Sequence, residues 1–212
     1  MQRMVSFIPP DPPPVAPEDE WVCTRSGRRF FPLDPQPAQI AIEDIAYGLA
    51  GRYRFGAQSP RRYTVAQHSV EVCRQLARLT HNADVCLWGL LHDAAEAWLV
   101  DWQRPVKWRQ FWWDGERAVP FAEIEFKVLV SVQKTFALTE DYLLNITALS
   151  KAVDAADRDQ LHRERRDLFD DRQPVWGNCP AISPLPPLPA ILDPDAAEAE
   201  FLAEFWHWFS KE

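Results

Sequence analysis

From Thr64 onward, apolar positions recur along this chain at helical spacing. Val65, His68, Val72 and Leu76 share one face, and Thr64 followed by Gln67 makes a capping-box pattern. A helix is therefore expected from Val65 to about His81-Asn82. The next stretch, about 83–97, is apolar nearly all round (Val85, Leu87, Trp88, Leu90, Leu91), the mark of a helix in the middle of a domain. After a loop holding Pro105, helical segments are expected near 121–136 and 140–170. Asp193-Pro194 reads as an N-cap with proline at the first helical position. The helix it opens would dock an apolar stripe of Phe201, Phe205, Trp208 and Phe209 onto the core. Upstream, Ile42, Ile45, Ala46 and Leu49 predict a short helix over 40–50. Trp21-Val22-Cys23-Thr24 and Arg29-Phe30-Phe31 around Ser26-Gly27 predict a small β-hairpin.

These elements describe an all-α fold with a short N-terminal hairpin extension and no internal repeat. Residues 9–17 form a Pro-rich lead, and 174–194 a Pro-rich connector that hugs the surface. The division expected is 1–23 as the extension, 24–172 as the main helical domain, and 173–212 as connector and final helix packed on the same domain. The formal charge of −8 argues against a partner that is a nucleic-acid polymer, yet a local cluster of cations can still hold a small anion. Four cysteines (Cys23, Cys73, Cys86, Cys179) have no zinc-site spacing, and Cys73 and Cys86 read as buried free thiols. No signal peptide or membrane span is visible, so a soluble cytoplasmic protein is expected.

Chemistry concentrates in a few helical positions. His92-Asp93 ends a very apolar helix, where charged groups are rare unless paired or bound to metal. Glu96 projects over the same patch, four residues from His92 and three from Asp93. His68 puts an imidazole on the apolar face of the preceding helix. In the 140–170 helix, Val153, Asp157, Leu161, Glu164 and Leu168 fall on one stripe, so Asp157 faces inward. Asp154 lies instead with Lys151 and Arg158, as a surface partner of Arg158. His68, His92, Asp93 and Asp157 make the imidazole–carboxylate set that suits a divalent first-row metal. Glu96 is placed to orient or deprotonate a water. The tryptophans at 98, 102, 108, 112 and 113 could wall a base-binding pocket, but most are expected in the core.

The order His68, His92-Asp93, Asp157 resembles the HD superfamily of metal-dependent phosphohydrolases. More narrowly, Gln67-His68-Ser69, Leu91-His92-Asp93-Ala94-Ala95-Glu96, Asp101, Pro105-Val106-Lys107 and Ala156-Asp157 resemble the 5′-deoxynucleotidases of that superfamily and the related phage deoxynucleoside triphosphate triphosphohydrolases. Arg54-Phe55, Glu164 and Arg166-Asp167-Leu168 fit the same branch, so the match runs over roughly 24–170. The resemblance implies an HD-domain helical bundle holding one divalent ion (Co, Mn, Zn, Ni or Fe), with Mg on the substrate phosphates as an addition. It implies His68, His92, Asp93 and Asp157 as metal ligands, and Glu96 and Asp101 as catalytic acids or bases. It also implies Arg54 on the phosphate, Phe55 against base or sugar, Lys107 facing the substrate, and a homo-oligomer. The expected reaction is hydrolysis of a deoxynucleoside monophosphate, the alternatives being a triphosphohydrolase and a non-catalytic nucleotide-binding scaffold. Relatives commonly carry a lysine three positions before the last metal-binding Asp, where this chain has Asp154, and that favours the monophosphate.

Overall fold

A computed structural model describes residues 20–169 and 183–211. The Pro-rich lead, Cys179 and part of the 174–194 connector lie outside the described residues. The chain is mostly helical with two small antiparallel sheets, so the expectation of helices throughout after the first hairpin needs correcting.

The first sheet is the expected hairpin: β1 (Val22–Cys23) pairs with β2 (Arg29–Phe30), Val22 opposite Phe30. Asp44 anchors it, accepting from the Ser26 backbone N–H at 2.8 Å and from the Ser26 hydroxyl at 2.6 Å. Asp44 belongs to α1 (Ile42–Ala50), whose apolar stripe Ile42, Ile45, Ala46 and Leu49 is buried as the spacing requires. α2 (Val65–Ala77) begins where the cap pattern places it, with the Thr64 hydroxyl accepting from the Gln67 N–H. It ends earlier than expected, because Leu79 and Thr80 fold their N–H groups back onto Leu76 and Asn82 caps the next helix instead.

The apolar stretch 83–97 divides into α3 (Ala83–Leu91) and α4 (Glu96–Leu99). No proline causes the break. The His92 Nδ1–H donates to its own helix at the Gly89 carbonyl, 2.8 Å away. Residues 94 and 96–98 then bond three residues back, which tightens the chain into a 3-10 pattern. That turn carries His92 and Asp93 out of the helix they terminate. A tertiary constraint sits on the same element: a Cβ added at Gly48 of α1 would meet the Ala97 carbonyl oxygen at 2.7 Å and its Cα at 2.8 Å. Gly48→Ala must push α4, a stiff neighbour, aside. We expect a loss of about 1–3 kcal/mol from overpacking, read as a fall in thermal midpoint of several degrees.

The stretch after α4 holds the largest departure. A short α5 (Arg104–Lys107) begins where a loop was expected, with Pro105 in its first turn. A second hairpin follows, of β3 (Phe111–Trp113) and β4 (Ala118–Pro120), with Trp112 opposite Val119. Its turn is Asp114-Gly115, with Asp114 Oδ1 accepting from the N–H groups of Glu116 and Arg117 and Gly115 at φ +101°. The loop between Trp113 and Ala118 is four residues long, and its Asp-Gly pair is a turn signal in the sequence.

α6 (Phe121–Thr135) matches expectation. The 140–170 segment is a 3-10 turn (Glu140–Tyr142) and then α7 (Ala148–Leu168), capped by Thr147. α8 (Pro194–Phe209) is capped by Asp193 and buries Ala197, Phe201, Phe205 and Trp208 against α1, α2 and α3. Leading into it, residues 183–192 lie along α7 and α2. Arg163 donates to the Pro186 and Pro187 carbonyls, and Gln67 to that of Ala190. Cys73 and Cys86 are buried free thiols; Cys23 is exposed. Of the five tryptophans considered for the core, Trp98 stacks on Phe30 and Trp112 packs on Phe121. Trp102, Trp108 and Trp113 are exposed, so the expectation that most are core is overturned. No helix among the described residues is long and apolar enough to cross a membrane.

Candidate metal centre

Two helices and the tight turn converge on one point. α2 supplies His68 from its buried face, the 92–95 turn supplies His92 and Asp93, and α7 supplies Asp157 and, two turns later, Glu164. His68 Nε2 lies 3.3 Å from His92 Nε2 and 3.1 Å from Asp157 Oδ1. Asp93 Oδ2 approaches both rings, at 3.3 Å from His92 Nε2 and 3.7 Å from His68 Nε2.

The hydrogen bonds on the far side of each ring decide what these atoms can do. A carbonyl can only accept, so His92 must donate from Nδ1 to Gly89. His68 Nδ1 faces Glu164 Oε1 at 2.6 Å. Burial pushes the Glu164 carboxyl up, but Arg54 and His68 outweigh it and hold the group ionised, so the ring donates there too. In neutral rings both Nε2 atoms are then acceptors, facing each other and two carboxylate oxygens. Such a set is complete only with a cation at its centre. His68, His92 and Asp157 form a group that could hold a metal ion, and the donor set fits a divalent one. Burial and Arg54 depress the His68 imidazole, but Glu164 and Asp157 raise it to about 10. Burial likewise raises the Asp157 carboxyl, and the two histidines overcome that, holding it at about 2.

Around this centre the other expected residues take definite places. Glu96 opens α4 and is buried, and its Oε2 has no hydrogen-bond partner among the described residues. Burial first, then the charges of Asp93 and Asp101, push its carboxyl well above the usual carboxylate range, with Lys107 and Arg54 pulling back. Lys107 does not hang free from a loop. Its Nζ sits 2.6 Å from Glu125 Oε1 and 3.6 Å from Glu96 Oε1. Both lysine and glutamates line an open cleft of about 230 Å³ together with His92, Asp93 and Asp157. Asp154 lines it as well and forms no ion pair with Arg158 among the described residues, which corrects its reading as that arginine's surface partner.

Arg54 is mostly buried, with Nε 3.2 Å from Glu164 Oε2 and Nη1 3.8 Å from Asp93 Oδ2. It enters from a left-handed turn, with Phe55, Gly56 and Ala57 at φ of +60°, +59° and +61°. Gln103 pins that turn by donating to the Phe55 carbonyl at 2.6 Å, a conformation unfavourable for Phe55 and Ala57 that the surroundings must hold. The Phe55 ring meets Phe169 edge-on. Neither Arg54, Phe55 nor Asp101 lines the cleft as described; Asp101 is half-buried, with burial raising its carboxyl against the pull of Arg54.

Sequence reading assigned no role to Glu164 or Glu125. Glu164 had a signal, since it falls on the inward stripe seven residues after Asp157. Glu125 had none, because its partner Lys107 comes from a separate element.

No protein-family model matches the chain. An uncharacterised protein of Rhodobacter capsulatus is 44% identical over 91 residues, covering 41% of this chain and 46% of that protein, so this match takes in less than half of either. The uncharacterised Escherichia coli protein YfdR is 30% identical over 189 residues, covering 87% of this chain and 93% of that protein.

Proposed function

The chain belongs to the family of the Escherichia coli protein YfdR, and from the geometry of its site we propose that it is a metal-dependent phosphohydrolase with an HD-domain helical bundle. Its substrate is a deoxynucleoside 5′-monophosphate. The observation that carries this is the convergence of His68, His92, Asp93 and Asp157 as acceptors, with an unpartnered Glu96 oxygen beside the same cleft. His68, His92 and Asp157 would hold the ion, with Asp93 next to them. When bound, the metal supplies Lewis acidity that makes water a better nucleophile and polarises a phosphoryl oxygen.

The chain's own groups do the rest. Glu96, buried beside the cleft with one carboxylate oxygen unpartnered among the described residues, takes a proton from the attacking water. Lys107 bears positive charge in the same cleft, and Glu125 limits where its ammonium can go. Glu164 fixes the His68 ring and keeps the Arg54 guanidinium oriented. Five carboxylates (Asp93, Glu96, Glu125, Asp154, Asp157) line the cleft against one lysine. That balance tolerates a phosphate monoester better than the larger charge of a triphosphate, and Asp154 is one of the five.

Phosphate release from a panel of deoxy- and ribonucleotides, after metal removal and re-addition, tests the proposal. Orthophosphate from deoxynucleoside monophosphates, restored by a divalent ion, is the expected result. Intact tripolyphosphate from a triphosphate would move the assignment to the triphosphohydrolases. A folded, metal-bound protein inert toward every nucleotide would leave the non-catalytic scaffold.

A further inference from the structure

Beside the cleft lies a surface that the reaction of one nucleotide does not use. Residues 102–113 contain five aromatic residues and three cations (Arg104, Lys107, Arg109) without an acidic residue, inside a chain of net charge −8. Trp108, Phe111 and Trp113 are 74%, 60% and 52% exposed. Strand alternation explains the last two: β3 turns Trp112 onto Phe121 and leaves Phe111 and Trp113 on the outer face. Their cross-strand neighbours Pro120 and Ala118 are also exposed, so the face is apolar and uncovered. Arg104 places its guanidinium 5.6 Å over the Trp108 ring. Lys107 lines the cleft while Trp108, the next residue, faces solvent, so the surface starts at the cleft's edge.

Uncovered rings with interleaved cations match the chemistry of a single nucleic-acid strand, whose bases stack on aromatic faces while its phosphates meet the cations. One base covers one ring, whereas three exposed rings lie here on two successive elements. None of them lines the cleft. A second copy of the chain is a poorer fit, because a two-fold contact across this face would bring two sets of Arg104 and Arg109 together with no acidic residue in 102–113 to offset them. We propose that this aromatic and basic ledge binds a short single-stranded nucleic-acid segment, so that the site serves terminal nucleotides of strands as well as free ones. The second half rests on the phosphohydrolase reading; the binding does not. The acidic balance of the whole chain argues against a polymeric partner, but the ledge itself carries Arg104 and Arg109 beside its rings, with Lys107 held at the cleft by Glu125 and Glu96.

The test is fluorescence anisotropy of a labelled oligodeoxythymidylate lacking terminal phosphates, titrated with the full chain at low and raised salt. Wild type is compared with Trp108→Ala/Trp113→Ala. Saturable binding that weakens with salt is expected, and it should fall at least about tenfold in the double variant, two lost stacking faces at the usual strength. Its circular dichroism and its phosphate release from thymidine monophosphate should be unchanged. No strand binding at low salt, or equal binding by the variant, overturns the proposal. So does a mass that rises with concentration in wild type and not in the variant, which marks a contact between copies. Lipid-vesicle sedimentation lost in the variant overturns it likewise. A chain that binds strand through these rings yet hydrolyses no nucleotide sinks only the phosphohydrolase reading. A nucleotidase indifferent to strand sinks only the ledge.

Discussion

Glu164→Leu is expected to unfold more easily and to bind metal more weakly than any other single change outside the ligands themselves. Glu164 is fully buried between two cationic partners, Arg54 at 3.2 Å and His68 at 2.6 Å. Removing it leaves the guanidinium in the interior with the more distant Asp93 carboxylate, at 3.8 Å, as its remaining ion pair among the described residues. Breaking one side of a buried pair costs about 3–5 kcal/mol, and for a chain of this size that lowers the thermal midpoint by roughly ten degrees. His68 also loses the acceptor that fixes its ring, which costs about 10–100-fold in metal affinity. Glu164→Leu combined with Arg54→Leu separates the two effects. With both buried charges gone, much of the stability should return, while metal affinity stays low because the ring is still unanchored. Thermal unfolding and calorimetric titration with Mn²⁺ read the two quantities. A single variant that melts within a degree or two of wild type would show that Glu164 carries neither load.

Glu96→Gln should behave in the opposite way, keeping the fold and the metal and losing the reaction. The side chain is buried beside the cleft and is not among the residues grouped for metal binding. Loss of a general base costs about 10²–10⁴-fold in kcat. Metal affinity should stay within about threefold, since no ligand from the set is removed. Stability of the metal-free protein should rise slightly. The native carboxyl has a raised pKa, so its favourable, protonated state is kept at low pH and lost as pH rises above the usual value near about 4.3. The neutral amide escapes that loss, so the variant's advantage should widen with increasing pH. A variant that hydrolyses nucleotides at wild-type rate would remove Glu96 from the mechanism and leave the water to be activated by another group.

How much of this was legible beforehand depends on the range of the interaction concerned. Thr64 and Asp193, read as caps from the sequence, cap their helices within three residues, because a local hydrogen bond of that kind leaves its mark in sequence spacing; Asn82 and Thr147 do the same without having been read. The break at His92 was not legible, although every atom in it is local. The pattern of apolar residues continues through it, while the ring bonds to Gly89 and the following N–H groups turn to three-back bonds. The second hairpin had a legible turn in Asp114-Gly115, outweighed by the aromatic run before it, which read as core.

At the site the same division holds. The amphipathic face of α2 placed His68 in the interior, while along α7 periodicity set Asp157 on the inward stripe and Asp154 on the wet side, although both line the cleft and Asp157 keeps a 40% exposed side chain. Those are properties of single helices, and a helix imposes them whatever it packs against. The sequence by itself therefore determined most of the helices and the first hairpin, and it put His68, His92 and Asp157 forward as candidates that the fold then brings together. Only the tertiary structure decided that Arg54 is held by Glu164, that Lys107 is held by Glu125, and that Asp154 borders the cleft. Each of those depends on how separate elements meet in space, and partners 110 residues apart share no spacing from which their contact can be read.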